Sequence, residues 1–237
     1  MKAVVLAAGK GTRLQALTAE IPKPMLPVGG RPVIDRVLSL LAADGVNEVF
    51  INLHHQKEAI AAYCGSGERW GVRITYAVES QLLGTAGAVR NLCEHLRDAP
   101  FFVVYGDNYL DCDLSALRTL HRERQGVATI GLFEKDDTIG SGVVELDENG
   151  RVVRFVEKPR RSEAFGNLVN GGVYVLSPSI IALIPSCAPC DFGYDVFPAL
   201  LASGYPVYGL VLKGAVWPID TPDLYRRLCE RMSNEHP

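Results

Sequence analysis

Two glycines spaced one apart, Gly9 and Gly11, close the apolar run Ala3–Ala8. A strand that ends in a Gly-rich turn presents backbone N–H groups where a phosphate can sit. Glycine suits such a turn because a side chain would block close approach and because the backbone can need positive φ. Thr12 and Arg13 lie inside the turn, and Lys23 follows, fenced by Pro22 and Pro24. One fixed guanidinium and one fixed ammonium can neutralise a triphosphate. The flanking prolines lower the entropy lost in placing the lysine. The spacing is not that of a P-loop, and Leu14 stands where the dinucleotide fingerprint needs its third glycine. The alternative is a plain chain reversal with Arg13 and Lys23 solvated.

Further candidates sit where other strands are expected to end. Asp107 follows the apolar run Pro100–Val104 and Gly106, a placement suited to a magnesium ion bound by few carboxylates and by phosphate oxygens. Asp111 and Asp113 read as a solvated turn or a helix N-cap. Asp220, within Val216–Pro222, is either a second metal ligand or the N-cap of a helix opening at Pro222. Glu79 ends the third strand, and Gly84-Thr85-Ala86-Gly87 offers small residues against which a flat base can lie. Glu157-Lys158-Pro159 pins a charged pair, which in isolation reads as an exposed ion pair at a strand end. Asn170, beside Gly171 and Gly172, can donate to and accept from sugar hydroxyls. His54 and His55 are adjacent on an extended segment, so they point to opposite sides and read as structural or surface residues. Cys187 and Cys190 have the Cys-x-x-Cys spacing without a second half-site, which favours two incidental thiols in a loop.

The elements that must position these residues follow from periodicity. Strands are predicted at Ala3–Ala8, Val46–Leu53 and Val72–Val78, with helices over Pro32–Ala43 and Glu58–Tyr63 between them. That alternation predicts an α/β fold with a right-handed, doubly wound, Rossmann-like sheet, ligands sitting beyond the carboxyl ends of its strands. A helix from Gly84 to about Leu96 is expected, then a strand ending at Val104. Val127–Phe133 and Val169–Leu176 are read as further strands. Gly142–Leu146 and Arg151–Val156 read as an antiparallel hairpin closed by a two-residue Asn149-Gly150 turn. The tail Ser233–Pro237 is expected to fray.

The 237 residues, 48% hydrophobic and 22% charged, suit one large or two small domains. A net charge of −3 leaves no electrostatic footprint for nucleic acid. No apolar run approaches the roughly 20 residues of a membrane span, and no signal peptide is evident, so a cytoplasmic location with reduced thiols is expected.

Leu6-Ala-Ala-Gly9-x-Gly11-Thr12-Arg13-Leu14 followed by Pro22-Lys23-Pro24-Met25 resembles the signature of the sugar-1-phosphate nucleotidyltransferases, or NDP-sugar pyrophosphorylases. The resemblance runs from Lys2 to about Tyr225. It departs at Gln15-Ala16, where the family usually has Arg-Pro, and at Asp220-Thr221, where a glycine is missing. It implies a nucleotide-diphospho-sugar transferase fold: a mixed, mostly parallel sheet with an inserted antiparallel hairpin region. On this reading 1–237 is one domain, with a nucleotide-binding half of about 1–125 and a sugar-binding half of about 126–237.

The resemblance further implies transfer of a nucleotidyl group from an NTP to a sugar 1-phosphate, with Mg2+. Arg13, Lys23 and Asp107 would be catalytic. Leu6, Ala8, Gly9, Gly11, Thr12, Arg13, Glu79, Gly84, Thr85 and Asp107 would bind the nucleotide. Lys23, Asn108, Glu157, Lys158, Asn170 and Gly171 would bind the sugar phosphate, and Asp107 with Asp220 would hold the metal. Gly84-Thr85-Ala86-Gly87 looks like the segment of mannose- and heptose-type guanylyltransferases, pointing to GTP and a manno-configured sugar. Uridylyl, thymidylyl and cytidylyl transfer stay open, as does a non-catalytic nucleotide-sugar-binding subunit, possible partners including a second copy. A Rossmann dehydrogenase is disfavoured by Leu14 and by Leu53-His54, where an acid should end the second strand.

Overall fold

The computed structural model describes residues 1–237 apart from Lys10, Thr12, Arg13, Gln15, Ala16, Ala19, Glu20, Ala164, Cys187, His236 and Pro237, and apart from the side chains of Asn234 and Glu235. In chain order the elements are β1 (Lys2–Leu6), β2 (Pro27–Val28), β3 (Arg31–Pro32), α1 (Val33–Ala43), β4 (Glu48–Leu53), α2 (Lys57–Cys64) and β5 (Arg73–Val78). Then come α3 (Thr85–Asn91), β6 (Phe101–Tyr105), β7 (Asn108–Cys112), α4 (Ser115–Arg124), β8 (Ala128–Glu134), β9 (Gly142–Leu146) and β10 (Val152–Glu157). The chain closes with β11 (Leu168–Leu176), α5 (Phe197–Ala202), β12 (Val207–Val211), β13 (Gly214–Pro218) and α6 (Pro222–Glu235). Two compact units emerge. The first is Met1–Leu82, Val104–Cys112 and Ala215–Pro237; the second is Leu83–Val103 and Asp113–Gly214. Each therefore draws on both sequential halves.

The first unit is built on parallel strands, as expected. β1 pairs with β4 from Lys2↔Glu48 to Leu6↔Asn52, and β4 pairs with β5 from Glu48↔Arg73 to Leu53↔Val78. Ala3, Val4 and Val5 are fully buried, which explains why β1 after Lys2 is apolar rather than alternating. α1 presents Val33, Ile34, Val37, Leu38 and Leu41 to the interior at helical spacing. Its carboxyl end is closed by Gly45 at φ +81°, whose N–H donates to the Ala42 carbonyl. A smaller apolar cluster joins Leu14, Leu26, Val28, Val33, Tyr109, Ile219 and Leu228. Its members flank Lys23, Asp107 and Asp220 in sequence, so this cluster anchors the segments that carry them. It also explains Leu14: the position that would be glycine in a dinucleotide fingerprint is a core anchor here, 1% exposed.

The second unit is mixed. β8 and β11 pair antiparallel, β12 runs parallel to β8, and β9 and β10 form the expected hairpin. Tyr174, Phe192, Phe197 and Phe155 pack ring on ring with centroids 5.1–5.5 Å apart. The chain as a whole is thus of mixed α/β class, with the expected parallel strands and antiparallel hairpin.

Three local expectations are corrected. The hairpin does not close on a two-residue turn. The Gly150 N–H donates to the Asp147 carbonyl, only Gly150 has positive φ, and the Asp147 carboxylate accepts from the Asn149 and Arg151 N–H groups. A type I′ turn needs positive φ at both central residues; the aspartate stabilises the longer alternative. The helix expected over Gly84–Leu96 ends at Asn91 and gives way to a 3-10 turn, Cys93–His95. Of the tail expected to fray, Ser233–Glu235 continues α6, with the Ser233 hydroxyl donating to the Cys229 carbonyl, and His236 and Pro237 lie outside the described residues.

Candidate functional site

The first unit gathers three of the predicted residues. The Lys23 ammonium lies 2.7 Å from Asp107 Oδ2 and 2.6 Å from Asp220 Oδ1. These partners are 84 and 197 positions away in sequence. Lys23 is 5% exposed, which few lysines reach without opposite charges to meet. A 3-10 turn, Lys23–Met25, places it: the Met25 N–H donates to the Pro22 carbonyl and the Leu26 N–H to the Lys23 carbonyl. Asp107 is delivered by β6 through Gly106, whose N–H donates to the Leu6 carbonyl. A Cβ at Gly106 would stand 2.8 Å from Val5 Cγ1, so only glycine lets this turn approach β1 so closely. Asp220 follows β13 and the fully buried Ile219. It is not the cap of α6: the Leu224 N–H donates to Thr221 Oγ1, leaving the aspartate to Lys23.

Burial pushes the Lys23 ammonium towards neutrality, but the charges and hydrogen bonds of Asp107 and Asp220 outweigh it, so its pKa stands above the ordinary lysine value. Two carboxylates thus converge on one point that holds a positive charge. That donor set fits a hard divalent cation such as Mg2+, which takes one or two carboxylates and completes its shell with water and phosphate oxygen. Among the described residues no larger cluster of His, Cys, Asp or Glu could hold a metal.

The Gly turn behaves as its chemistry predicted at Gly11, which has φ +60° and whose carbonyl accepts from the Leu14 N–H and the Thr18 hydroxyl. A Cβ at Gly9 would meet no protein atom within 4 Å. Leu6 and Ala8 are buried beside it, and Asn108 opens β7 directly after Asp107. Thr12 and Arg13 lie outside the described residues.

Glu79 directly follows β5 and is held at its backbone and at one carboxylate oxygen. Its N–H donates to the Leu53 carbonyl, its carbonyl accepts from His54 Nδ1, and its Oε1 accepts from Asn52 Nδ2 at 2.8 Å. Asn52 Oδ1 in turn accepts from the Ala7 N–H at 2.7 Å. Asn52 was missed by sequence reasoning. The signal was present: a lone amide inside the apolar run Val49–Leu53 is a buried polar group that must find partners.

The other predicted residues belong to the second unit. Thr85 gives both its N–H and its hydroxyl to Asp191 Oδ1, each at 3.0 Å, and accepts from the Phe192 N–H. The Ala86 and Gly87 N–H groups donate to the Cys190 carbonyl, and a Cβ on Gly84 would lie 2.4 Å from that oxygen. The small residues of this stretch are therefore used, within the unit, for close packing against Cys190–Phe192. Glu157 lies against Gly142 and Gly193, where an added Cβ would come within 2.5 and 2.4 Å of its Oε2. Burial raises its pKa, opposed by the neighbouring Lys158 charge. Lys158 has φ +48°, strained for a non-glycine residue, and its ammonium lies 3.6 Å from Glu157 Oε1 and 5.5 Å from the centroid of the exposed Tyr194 ring. Asn170 is engaged by the Gly172 N–H and the Tyr174 hydroxyl at an irregularity in the β8–β11 register. A Cβ on Gly171 would sit 2.9 Å from the Gly131 carbonyl, so strand approach alone demands glycine there.

Two acids near the sequence candidates have local tasks. Asp113 accepts from the Ser115 N–H and hydroxyl just ahead of α4, and those hydrogen bonds hold its carboxyl below the usual range. Asp111 pairs with Arg36. Cys190 is buried, and Cys187 lies outside the described residues. Among the described residues no helix is long and apolar enough to cross a membrane.

The family model described as Nucleotidyl transferase matches residues 2–221. A UTP–glucose-1-phosphate uridylyltransferase of Synechocystis is 39% identical over 223 residues, 89% of this chain and 58% of the relative. A mannose-1-phosphate guanylyltransferase of Mycobacterium tuberculosis is 36% identical over 226 residues, 95% of this chain and 62% of the relative. The chain thus spans about three-fifths of the length of these curated relatives. HddC from Yersinia pseudotuberculosis, solved also as a complex with GMP-PN, superposes with a TM-score of 0.80 at 27% identity, covering 97% of this chain and 98% of that one. On the family match, the shared length and the superposition together, the chain belongs to the nucleotidyl transferase family.

Proposed function

We propose that this protein transfers a nucleotidyl group from an NTP to a sugar 1-phosphate, releasing pyrophosphate. The observation that carries the reading is the Lys23 ammonium, buried between Asp107 and Asp220 in the unit that also carries the Gly9–Gly11 turn. The attacking phosphate monoester is already an anion near neutral pH, so no strong general base is needed. The difficulty is the mutual repulsion of two polyanions, and positioning with charge neutralisation supplies most of the rate. Lys23 bridges towards the α-phosphate and the sugar phosphate. Arg13, Thr12 and the turn N–H groups hold the leaving phosphates. Lys158 and Glu157 hold the sugar phosphate. Asp107 and Asp220 would hold Mg2+, which when bound neutralises phosphate charge and polarises the phosphoryl oxygens.

GTP with a manno-configured sugar 1-phosphate is the preferred substrate pair in this reading. Glu79 supports the base choice. A carboxylate only accepts hydrogen bonds, and guanine presents two adjacent donors, N1–H and the N2 amino group, where uracil and thymine present one between two carbonyls. The guanylyltransferase among the relatives points the same way, and the uridylyltransferase keeps a pyrimidine as the competitor. A matrix of NTPs against sugar 1-phosphates, scored by pyrophosphate release, tests the proposal. The expected result is release with at least one pair, highest with GTP, and loss by orders of magnitude in Arg13→Ala and Lys23→Ala. No release from any pair, or wild-type turnover in either variant, refutes it.

A further inference from the structure

We propose that Asn52 is a positioning residue that sets nucleobase selectivity by fixing the carboxylate of Glu79. The inference rests on the reading of Glu79 as the acid that meets the base.

The relay has only one polarity. The Ala7 N–H can only donate, so the atom of Asn52 that faces it at 2.7 Å must be Oδ1. The other end of the amide is then Nδ2, a donor, and it meets Glu79 Oε1 at 2.8 Å. Both side chains are nearly sealed, Asn52 at 4% and Glu79 at 6% exposure, so neither pairing competes with bulk water. The Glu79 backbone is already fixed at its N–H by Leu53 and at its carbonyl by His54. With Cα placed and Oε1 held, the rotation of the carboxylate is restricted, and with it the direction in which its acceptors face. A base edge is read by hydrogen bonds that weaken steeply once misaligned, so a carboxylate free to rotate would discriminate poorly.

The same amide touches the opening turn. Leu6 is the last residue of β1 in register with β4, opposite Asn52 itself, and Ala7 is the first residue beyond the ladder. Asn52 therefore replaces the missing strand partner of the Ala7 N–H with its own side chain. Through one group it ties the start of the Ala7–Gly11 turn to the residue that reads the base. The Ala7 limb alone would be satisfied by any short acceptor at this position; the Glu79 limb is what makes the donor half of the amide necessary.

The variant that separates the limbs is Asn52→Asp. It keeps the acceptor for Ala7 and turns the donor facing Glu79 into an acceptor. In the full chain we expect the ratio of kcat/KM for the preferred NTP over the other NTPs to fall on the order of 10–100-fold, the range a well-aligned base contact supplies. The KM for sugar 1-phosphate should stay within about threefold of wild type, a split that general damage to the fold does not produce. Glu79→Gln should lose the same selectivity. The double variant Asn52→Asp with Glu79→Gln restores a donor–acceptor pair of reversed polarity, so its melting temperature should return towards wild type while selectivity stays lost. Equilibrium binding of each nucleotide is measured beside turnover. A chain that binds nucleotides with Asn52-dependent selectivity yet releases no pyrophosphate keeps this inference and removes the transferase reading. The inference is overturned if Asn52→Asp weakens all nucleotides and the sugar phosphate alike, if Glu79→Gln leaves base choice unchanged, or if the double variant regains selectivity.

Discussion

Replacing Lys23 by methionine keeps most of the side chain's volume and removes the charge that holds two carboxylates together. Asp107 and Asp220 each lie within 2.7 Å of the ammonium, so the variant leaves two like charges facing one apolar chain. Removing one partner of a buried ion pair costs about 3–5 kcal/mol. Here the aspartate side chains keep 30% and 29% exposure, so water screens part of the repulsion and a cost of roughly 2–3 kcal/mol is expected. At about 2–4 °C per kcal/mol for a chain of this size, the melting temperature in EDTA should fall by roughly 4–12 °C. Magnesium should reverse much of the loss. A divalent cation present at ten times its dissociation constant contributes about 1.4 kcal/mol, or roughly 3–6 °C, if the two acids bind it only in the folded state. The assay is a thermal melt of wild type and Lys23→Met in EDTA and in Mg2+, at equal ionic strength to remove general screening. Equal melting of both proteins in EDTA would refute the electrostatic argument. A variant that melts low but ignores Mg2+ would refute the assignment of the acids to a metal.

Two further outcomes follow from the second unit and the opening turn. His121 is buried, 2% exposed, with its ring nitrogens on Thr129 Oγ1 and Ser177 Oγ, and burial lowers its pKa from 6.5 to about 4. The unfolded chain therefore binds a proton before the folded one does; stability is complete above about pH 6.5 and is lost as pH falls towards about 4, by about 3 kcal/mol at most. Urea unfolding of His121→Gln at pH 7 and pH 4.5 should show less of this acid loss than wild type, whatever the variant's stability at pH 7; an unchanged acid limb contradicts the assignment. Gly84→Ala, at φ +78° with a Cβ 2.4 Å from the Cys190 oxygen, should cost at least about 2 kcal/mol by urea midpoint, whereas Gly9→Ala, with open space around its Cβ, should leave stability within about 0.5 kcal/mol and weaken nucleotide binding. Comparable stabilities for the two alanine variants would show that the packing at Gly84 is not what that glycine serves.

The first unit was largely legible because its signals are local. An unbroken apolar run predicted β1 buried on both faces, and Ala3, Val4 and Val5 are fully buried. Helical spacing and Gly45 placed α1 to within a residue of Val33–Ala43. Gly106 before Asp107 and prolines around Lys23 are backbone constraints written beside the residues they aim. Asp220 was harder, because its local sequence also fits a helix cap. Thr221 takes that task one position later, which no spacing rule decides in advance.

What stayed hidden needed partners far away in sequence. The donors that open α3 read as free for a ligand until Cys190 and Asp191, more than a hundred residues on, are brought to them. Asn170 and Gly171 read as a surface for a sugar ring, yet the β8–β11 irregularity and the Gly131 carbonyl give each a structural task as well. Asn52 shows the general reason. A lone amide inside an apolar run must find partners, but the run does not say which ones. The amide's meaning changes only when the sheet places the end of β1 on one side of it and the end of β5 on the other. One amide then has both a donor and an acceptor to satisfy, and its orientation becomes a property of the fold. Sequence names the groups that can do chemistry; which hydrogen-bonding edge each presents is decided by neighbours that only the sheet supplies.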